Sequence, residues 1–501
     1  MRRAAVLAAS LVLVPAAAGA DAQRPGFTYG VAAGEVTATS AILWTRAPRA
    51  GRVDLEVSTR RSADLGVSYA ARARDAKDRT VAVRVPVQPG KRYWYRFSQG
   101  GAPDSPIGTF RSAPPASRDA GVRFAVSGDA DATPDTDGNP AYSFRVYARM
   151  AAEGNDFNIN MGDTIYSDSS VGDAPAARTV AEKWGKYKLA LGQAELRRLR
   201  AAAGLYSHWD DHEFVNDFSR PEHGNELYRA GVKAFRDYSP VRYGANGLYR
   251  TVRWGKNVEL FFLDERSFRS GKVTAACNSD FAPTAPQAVR DAFGTLAPSL
   301  RNPVPPACLA AINDSSRTML GARQYAAFTR AIAASKATWK IVVNEVPIQQ
   351  FYAQPYDRWE GYAAERERLL RFLRGVKNVV FLTTDMHANV VNEVRLRTLG
   401  GPPEGTGIWE VVTGPVATNT YSTSVDRLLG ITGGGTAVAS LFFKPPPPNG
   451  VGMRCAALDV PSYAQVTVTR RRLTVASRDA RGRLVQEKTG RACPPLVLRA
   501  R

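Results

Sequence analysis

Histidine is scarce in this chain: His208, His212, His223 and His387 are the whole supply in 501 residues. A site built mainly from imidazole is therefore excluded, and oxygen donors must dominate any metal centre the chain makes. Cysteine is as rare, with only Cys277, Cys308, Cys455 and Cys493. None has the spacing of a zinc knuckle, so they read as disulfides of an oxidising compartment. A Cys277–Cys308 bond would close a Pro-rich insertion, and a Cys455–Cys493 bond would tie down the C-terminus. Two other pairings remain open. Internal repeats are absent, and beyond the N-terminus no run is apolar and long enough to span a bilayer. The net charge of +21 is scattered, and its longest run, Arg470 to Arg472, marks a hairpin. Such a surface draws anions such as phosphate esters, but it lacks the basic arm of a stable nucleic-acid complex.

What is present begins with an export signal over residues 1–22. Arg2 and Arg3 precede an apolar stretch from Ala4 to Ala18, and Ala18-Gly19-Ala20 is a small-residue cleavage pattern. The expected location is secreted, periplasmic or cell-surface, with the Sec or Tat route undecided. Residues 27–113 alternate apolar and polar positions in short runs such as SAILWTRA, VDLEVS and RYWYRFS, which suits a two-sheet sandwich of the fibronectin type III kind. Residues 120–480 alternate strand-like and helical runs, the mark of an α/β layered domain. Residues 481–501 form a C-terminal tail held by a disulfide.

Four apolar runs end on oxygen-rich clusters. VRFAVSGDAD carries Asp129 and Asp131, DFNINMGDTIYSD carries Asp163, Tyr166 and Asp168, LYSHWDDHE carries Asp210, Asp211 and His212, and NVVFLTTDMHAN carries Asp385, His387 and Asn389. Short apolar runs bounded by turns read as buried strands, and in an open α/β sheet ligands collect beyond the carboxyl ends of the strands. Carboxylates crowded there cannot all ionise unless cations neutralise them. The expectation is a hydrolytic centre of two or more metal ions, drawn from calcium, ferric iron, manganese and magnesium. Asp129, Asp163, Asp210, Asp211, Asp385 and His387 are the candidate ligands, with Tyr166 placed to give a phenolate to ferric iron. A metal-held hydroxide is a nucleophile at neutral pH. Arg266 and Arg269 could neutralise phosphoryl oxygens or form salt bridges in the core. Trp359 could wall the substrate pocket or fill an interface. His208 is expected to pack against a helix, and His223 to sit exposed in a polar loop.

The stretches GDTIYSD, WDDHE and TTDMHAN resemble the signatures of the alkaline phosphatase D (PhoD-like) family of metallophosphatases. FTYGVAAGEVTATSAILWTRA resembles that family's N-terminal β-domain, and VELFFLDERSFRS and PYDRWEGYAAER fit its pattern. The resemblance implies a secreted phosphomonoesterase and phosphodiesterase dependent on iron and calcium. Its fold would be a calcineurin-like α/β sandwich preceded by the small all-β domain. By position, Asp163 resembles the carboxylate that bridges two metals, and Tyr166 the phenolate ligand. Asp211 stands where related enzymes place an amide ligand. His212 resembles the catalytic His that protonates the leaving alkoxide, and Asp385 and His387 the last pair of ligands. Asn344 occupies a position that holds His in the wider superfamily. Asp129 stands where iron-type members carry Cys, which leaves the first metal's identity open.

The reading is a monomeric hydrolase of small phosphate monoesters and diesters. A phospholipase D-like phosphodiesterase acting on phospholipid or nucleotide diesters is an alternative. A second is a calcium-stabilised surface-binding module without catalysis.

Overall fold

The apolar runs that precede the acidic clusters form parallel strands. The computed structural model describes residues 26–61, 66–295 and 297–501, so the export signal over 1–22 lies outside the described residues. Val122–Ser127, Phe157–Met161 and Gly204–His208 lie side by side in parallel. Val258–Phe262, Trp339–Asn344 and Val379–Thr383 do the same in another sheet. Four of these six are buried at every residue, as expected of strands covered on both faces.

Among the described residues, the first sheet has nine strands. Its central parallel trio is flanked on one side by the antiparallel strands Ser462–Val468, Arg472–Asp479 and Leu496–Arg499. On the other side stand Val31–Gly34, Ser40–Arg46 and Thr80–Pro86. The second sheet has seven strands and carries Asn389–Arg397, Glu404–Val412 and Cys455–Ala457 at one side. The two sheets face each other across one apolar core. Phe157 meets Trp254 at 4.5 Å between ring centroids, and Tyr206 meets Phe262 at 5.7 Å. Helices cover both outer faces. Tyr147, Leu199 and Phe235 join Ala125 and Leu205 behind the first sheet, while Phe328, Leu369 and Leu370 join Phe261 and Val342 behind the second. The result is a helix–sheet–sheet–helix sandwich of the α/β class.

The N-terminal strands divide between two sheets. Gly51–Ser58, Val67–Ala73, Arg92–Ser98 and Gly108–Arg111 make a separate four-stranded antiparallel sheet. Val31–Gly34 instead pairs in parallel with Gly204–His208, through Ala33 opposite Gly204. One face of the N-terminal sandwich is thus the end of the large sheet, and Trp44 fastens it by donating its indole N–H to Asp237 O at 2.8 Å. Cys277–Cys308 closes the insertion, and Cys455–Cys493 ties the chain end to the second sheet's edge strand. No helix among the described residues is long and apolar enough to cross a membrane.

Candidate metal centre

Each acidic cluster sits just past the carboxyl end of a parallel strand. The turns there use backbone that most residues avoid. Asp129, Asp163, Asp385 and His387 have φ of 62°, 48°, 66° and 52°. Left-handed geometry costs a non-glycine residue about 1–3 kcal/mol, and such strain gathers where side chains must be aimed. Gly162 adopts φ 110°, and a Cβ there would lie 2.6 Å from Asp210 Cβ and 2.8 Å from Asp210 N. Only glycine lets these two strand ends approach so closely.

The turns bring side chains from both sheets together. Potential ligand atoms lie within 4.8 Å of one another in the sets Asp129, Asp163, His387; Asp163, Asp211, His212; and Asp210, Asp211, Asp385. Asp163 belongs to the first two and Asp211 to the last two, so adjacent cations could share carboxylates. Burial, then neighbouring acids, pushes the Asp129, Asp163 and Asp385 carboxyls well above their usual range. Asp210 rises to about 7, mainly through burial, although Arg266 opposes it. Burial and then Asp163 likewise raise the Tyr166 phenol. The protein's own groups therefore disfavour ionisation of this cluster. Asp129 Oδ2 and Asp210 Oδ2 are buried with no hydrogen-bond partner among the described residues, as is Asn344 Oδ1 at the end of Trp339–Asn344. Orphaned oxygens inside an acidic cluster fit hard cations, and the donor set is mostly oxygen.

His212 stands at the cluster's edge. Its Nδ1 lies 2.6 Å from Asp168 Oδ1, and its ring stacks on Tyr166 with centroids 4.1 Å apart. Asp168 is itself held by the Asn216 N–H at 2.7 Å. Burial works against the imidazolium, but Asp211 and then Asp168 overcome it and raise His212 to about 9. His387 behaves oppositely: burial, then His212, lowers it to about 4. It is thus neutral, as a ligand requires, and its Nε2 lies 2.9 Å from the Tyr166 hydroxyl.

Three candidates for substrate contact are corrected. Arg266 is fully buried, with Nε 2.5 Å from Asp210 Oδ1, Nη1 2.7 Å from Asp357 Oδ2 and Nη2 3.5 Å from Asp385 Oδ1. It is the counter-ion of the acids beneath the cleft, not part of the cleft wall. Arg269 is likewise buried against Asp357. Trp359 is sealed in the core behind the second sheet and donates its indole N–H to Glu265 Oε1 at 2.6 Å. Large side chains after a strand end can point outward or inward, and here the carboxylates below draw them in. Asp210 keeps only Oδ2 for a cation, since Arg266 takes Oδ1. Asp131 braces its own loop, accepting from Thr133 N at 2.8 Å and from Ser169 Oγ. His208 lies between the sheets, parallel to Phe262 and 2.9 Å from Glu345 Oε1, rather than against a helix. His223 lies in helix Arg220–Tyr238, stacked on Phe218 and only partly exposed.

Sequence reasoning put Asp168 in an acidic cluster without a role and missed Asp217 and Asp357. Asp168 has one signal, its place in the same loop as Asp163 and Tyr166. Asp217 and Asp357 meet Asp211 within 4.8 Å, from loops that sequence spacing does not connect. The cleft above the cluster encloses about 630 Å³, and its walls include Asp163, Asp211, His212, Lys272, Arg358 and His387. Lys272 Nζ pairs with Asp217 Oδ2 at 3.0 Å.

Two facing sheets with helices outside, and an acidic cluster at strand ends from both, define a layered α/β sandwich with a candidate metal centre at its carboxyl edge. The chain belongs to the PhoD-like phosphatase family: that family's profile matches residues 136–442, and the profile of its N-terminal domain matches 14–114. It is 27% identical over 416 residues to alkaline phosphatase D of Bacillus subtilis (strain 168). That match covers 72% of this chain and 64% of the relative, a little under two thirds of its length. The solved structure of PhoD superposes with a TM-score of 0.74 at 21% identity, covering 96% of this chain and 92% of that one. Purple acid phosphatase PPD1 from yellow lupin (Lupinus luteus) shares the fold more distantly, with a TM-score of 0.58 at 12% identity over 94% of this chain and 74% of that one.

Proposed function

We propose that this chain is a metal-dependent hydrolase of phosphate monoesters and diesters. The convergence of Asp129, Asp163, Asp211, Asp385 and His387 at one point carries the reading, because their charge needs inorganic cations. When bound, the cations would supply Lewis acidity and a lowered pKa for water. Asp129, Asp163 and His387 would hold one of them, and Asp210, Asp211 and Asp385 another. Tyr166 suits ferric iron and the carboxylates suit calcium; Asp129 in place of Cys leaves manganese or magnesium open at the first position.

The chain's own groups supply the rest. His212 is charged over most of the neutral range and faces the cleft, so it can give a proton to a leaving alkoxide. Asp168 fixes that ring by accepting from Nδ1, which leaves Nε2 as the donor. Lys272 and Arg358 put positive charge on the walls, where an anionic ester must enter. We read the N-terminal sandwich as a fibronectin type III-like support, and the protein as a monomer acting outside the cytoplasm.

The test uses chelator-stripped protein reloaded with calcium and ferric iron, then with manganese or magnesium. Hydrolysis of p-nitrophenyl phosphate and bis-p-nitrophenyl phosphate should return with metal and be lost in Asp163→Asn. A reloaded protein that binds metal yet cleaves neither ester would overturn the reading and favour a structural cation site.

A further inference from the structure

A second cavity opens beside the cleft. It lies between helix Gln287–Phe293, in the insertion closed by Cys277–Cys308, and the helices Tyr421–Leu429 and Gly434–Val438. Val289, Phe293, Val425, Leu428, Val438 and Phe442 are among its walls. Its charged lining residue, Arg290, is already engaged: its guanidinium reaches Asp280 Oδ1 and Oδ2 at 2.8 Å and the carbonyls of Ala282 and Asn302 at 2.8 Å. Among the described residues the slot's one charge is thus paired with Asp280, and Arg290 Nε alone of that side chain is left without a partner.

This slot adjoins the cleft across shared walls. Phe281, Tyr421, Val425 and Leu428 line both. Tyr421, the first residue of its helical wall, donates its N–H to His387 O at 2.9 Å, so the apolar wall begins one hydrogen bond from a candidate metal ligand. The slot is narrow, about 60 Å³ against about 630 Å³ for the cleft. That leaves room for a few methylenes of one chain and not for a bulky group. At its wall Leu428 is 53% exposed, and in the same 421–443 segment Ile431 and Leu441 are 42% and 63% exposed. Large apolar side chains left in water along one segment mark a binding surface rather than packing.

We propose that the slot is an apolar subsite for the hydrocarbon chain of an alkyl phosphoester whose phosphoryl group sits in the cleft. This rests on the hydrolase reading above and narrows its substrate class to amphipathic esters. Binding is one-sided: the anionic head is drawn to the cations and to Lys272, and the chain leaves water between the insertion and the 421–443 segment. Each methylene removed from water favours binding, so affinity should climb with chain length until the slot is full.

Calorimetry with metal-loaded protein tests the site without turnover, using methyl phosphate and decyl phosphate as monomeric probes. Decyl phosphate should bind about tenfold or more tightly, with a more negative heat-capacity change. Phe293→Ser should shrink that ratio toward one, and Phe293→Trp, which fills the slot without adding polarity, should do so too if the serine variant misfolds. In parallel, p-nitrophenyl decyl phosphate should show a higher kcat/KM than the methyl ester. Equal affinity for the two phosphates overturns the subsite; if the methyl ester is still cleaved, the hydrolase reading stands. Chain-length-dependent binding without cleavage of either ester supports the subsite and overturns the hydrolase reading. A dimer that Leu428→Ser dissociates, with no chain-length effect, would assign this face to self-association and overturn the proposal.

Discussion

His212 and Asp168 form the pair on which proton delivery turns. Asp211 and Asp168 keep His212 charged up to about 9, so its proton is available below that value and lost above it. Cations bound to Asp211 and Asp163 would offset those acids and draw the value down. Asp168→Asn removes one support for the imidazolium, so the alkaline limb of kcat/KM should move to lower pH for an ester with a poor leaving group. His212→Ala should slow poor leaving groups far more than p-nitrophenolate, because only the former need the proton. A uniform loss across a leaving-group series would instead make His212 a ligand or substrate contact. A different residue governs stability at high pH. Lys183 is buried, donating to Ser167 Oγ at 2.7 Å and Phe214 O at 2.9 Å, and burial lowers its pKa from 10.5 to about 8. Between those values the unfolded chain holds the extra proton, so this group's penalty is full below about 8 and fades as pH rises. The unfolding free energy of wild type relative to Lys183→Met should therefore rise between about pH 7.5 and about pH 10.5, by up to about 3 kcal/mol. A flat difference in denaturant titrations would show that burial does not lower the Lys183 pKa in the folded chain.

The strand end is the element that makes the site, and Gly162 is its tightest point. Gly162→Ala places a methyl group against Asp210 at a φ that L residues avoid. It should cost more than about 1 kcal/mol and should separate Asp163 from Asp211, so metal content should fall together with thermal stability. A variant with full metal content would mean that the turn rearranges freely. This element was legible in the sequence because an apolar run ending on Gly-Asp or Asp-Asp needs only local pattern to be read. Asp129, Asp163, Asp211, Asp385 and His387 followed from it. Arg266 and Trp359 did not, since their direction depends on Asp210, Asp357 and Glu265, which arrive from other loops. The merging of Val31–Gly34 with the large sheet was equally hidden. Alternation of apolar and polar residues identifies a strand but not its neighbour, and one bridge between Ala33 and Gly204 decides the matter.

The acids of the cluster come from both halves of the molecule. Asp129, Asp163 and Asp211 leave the first sheet, and Asp385 and His387 leave the second, so a shared cation would pin the sheets together at their carboxyl edge. Without cations the same groups oppose folding. Asp129, Asp163 and Asp385 have folded pKa values well above the usual 3.8. Over the interval between those values the folded chain binds more protons than the unfolded one, and its stability must fall as pH rises. Cation binding reverses this, because it needs the ionised carboxylates and stabilises the fold by about 2.7 kcal/mol at a free concentration one hundred times Kd. The melting temperature of chelated protein should thus drop from about pH 5 to about pH 8, while that of metal-loaded protein drops less, and the gap between the curves should widen. Asp163→Asn should flatten the chelated curve, since an amide has no proton to lose, and should also shrink the gain from metal. Scanning calorimetry of both proteins, with and without calcium and ferric iron, reads all four curves. If chelated wild type and Asp163→Asn melt in parallel across this range, Asp163 does not carry the buried charge on which the cation site depends.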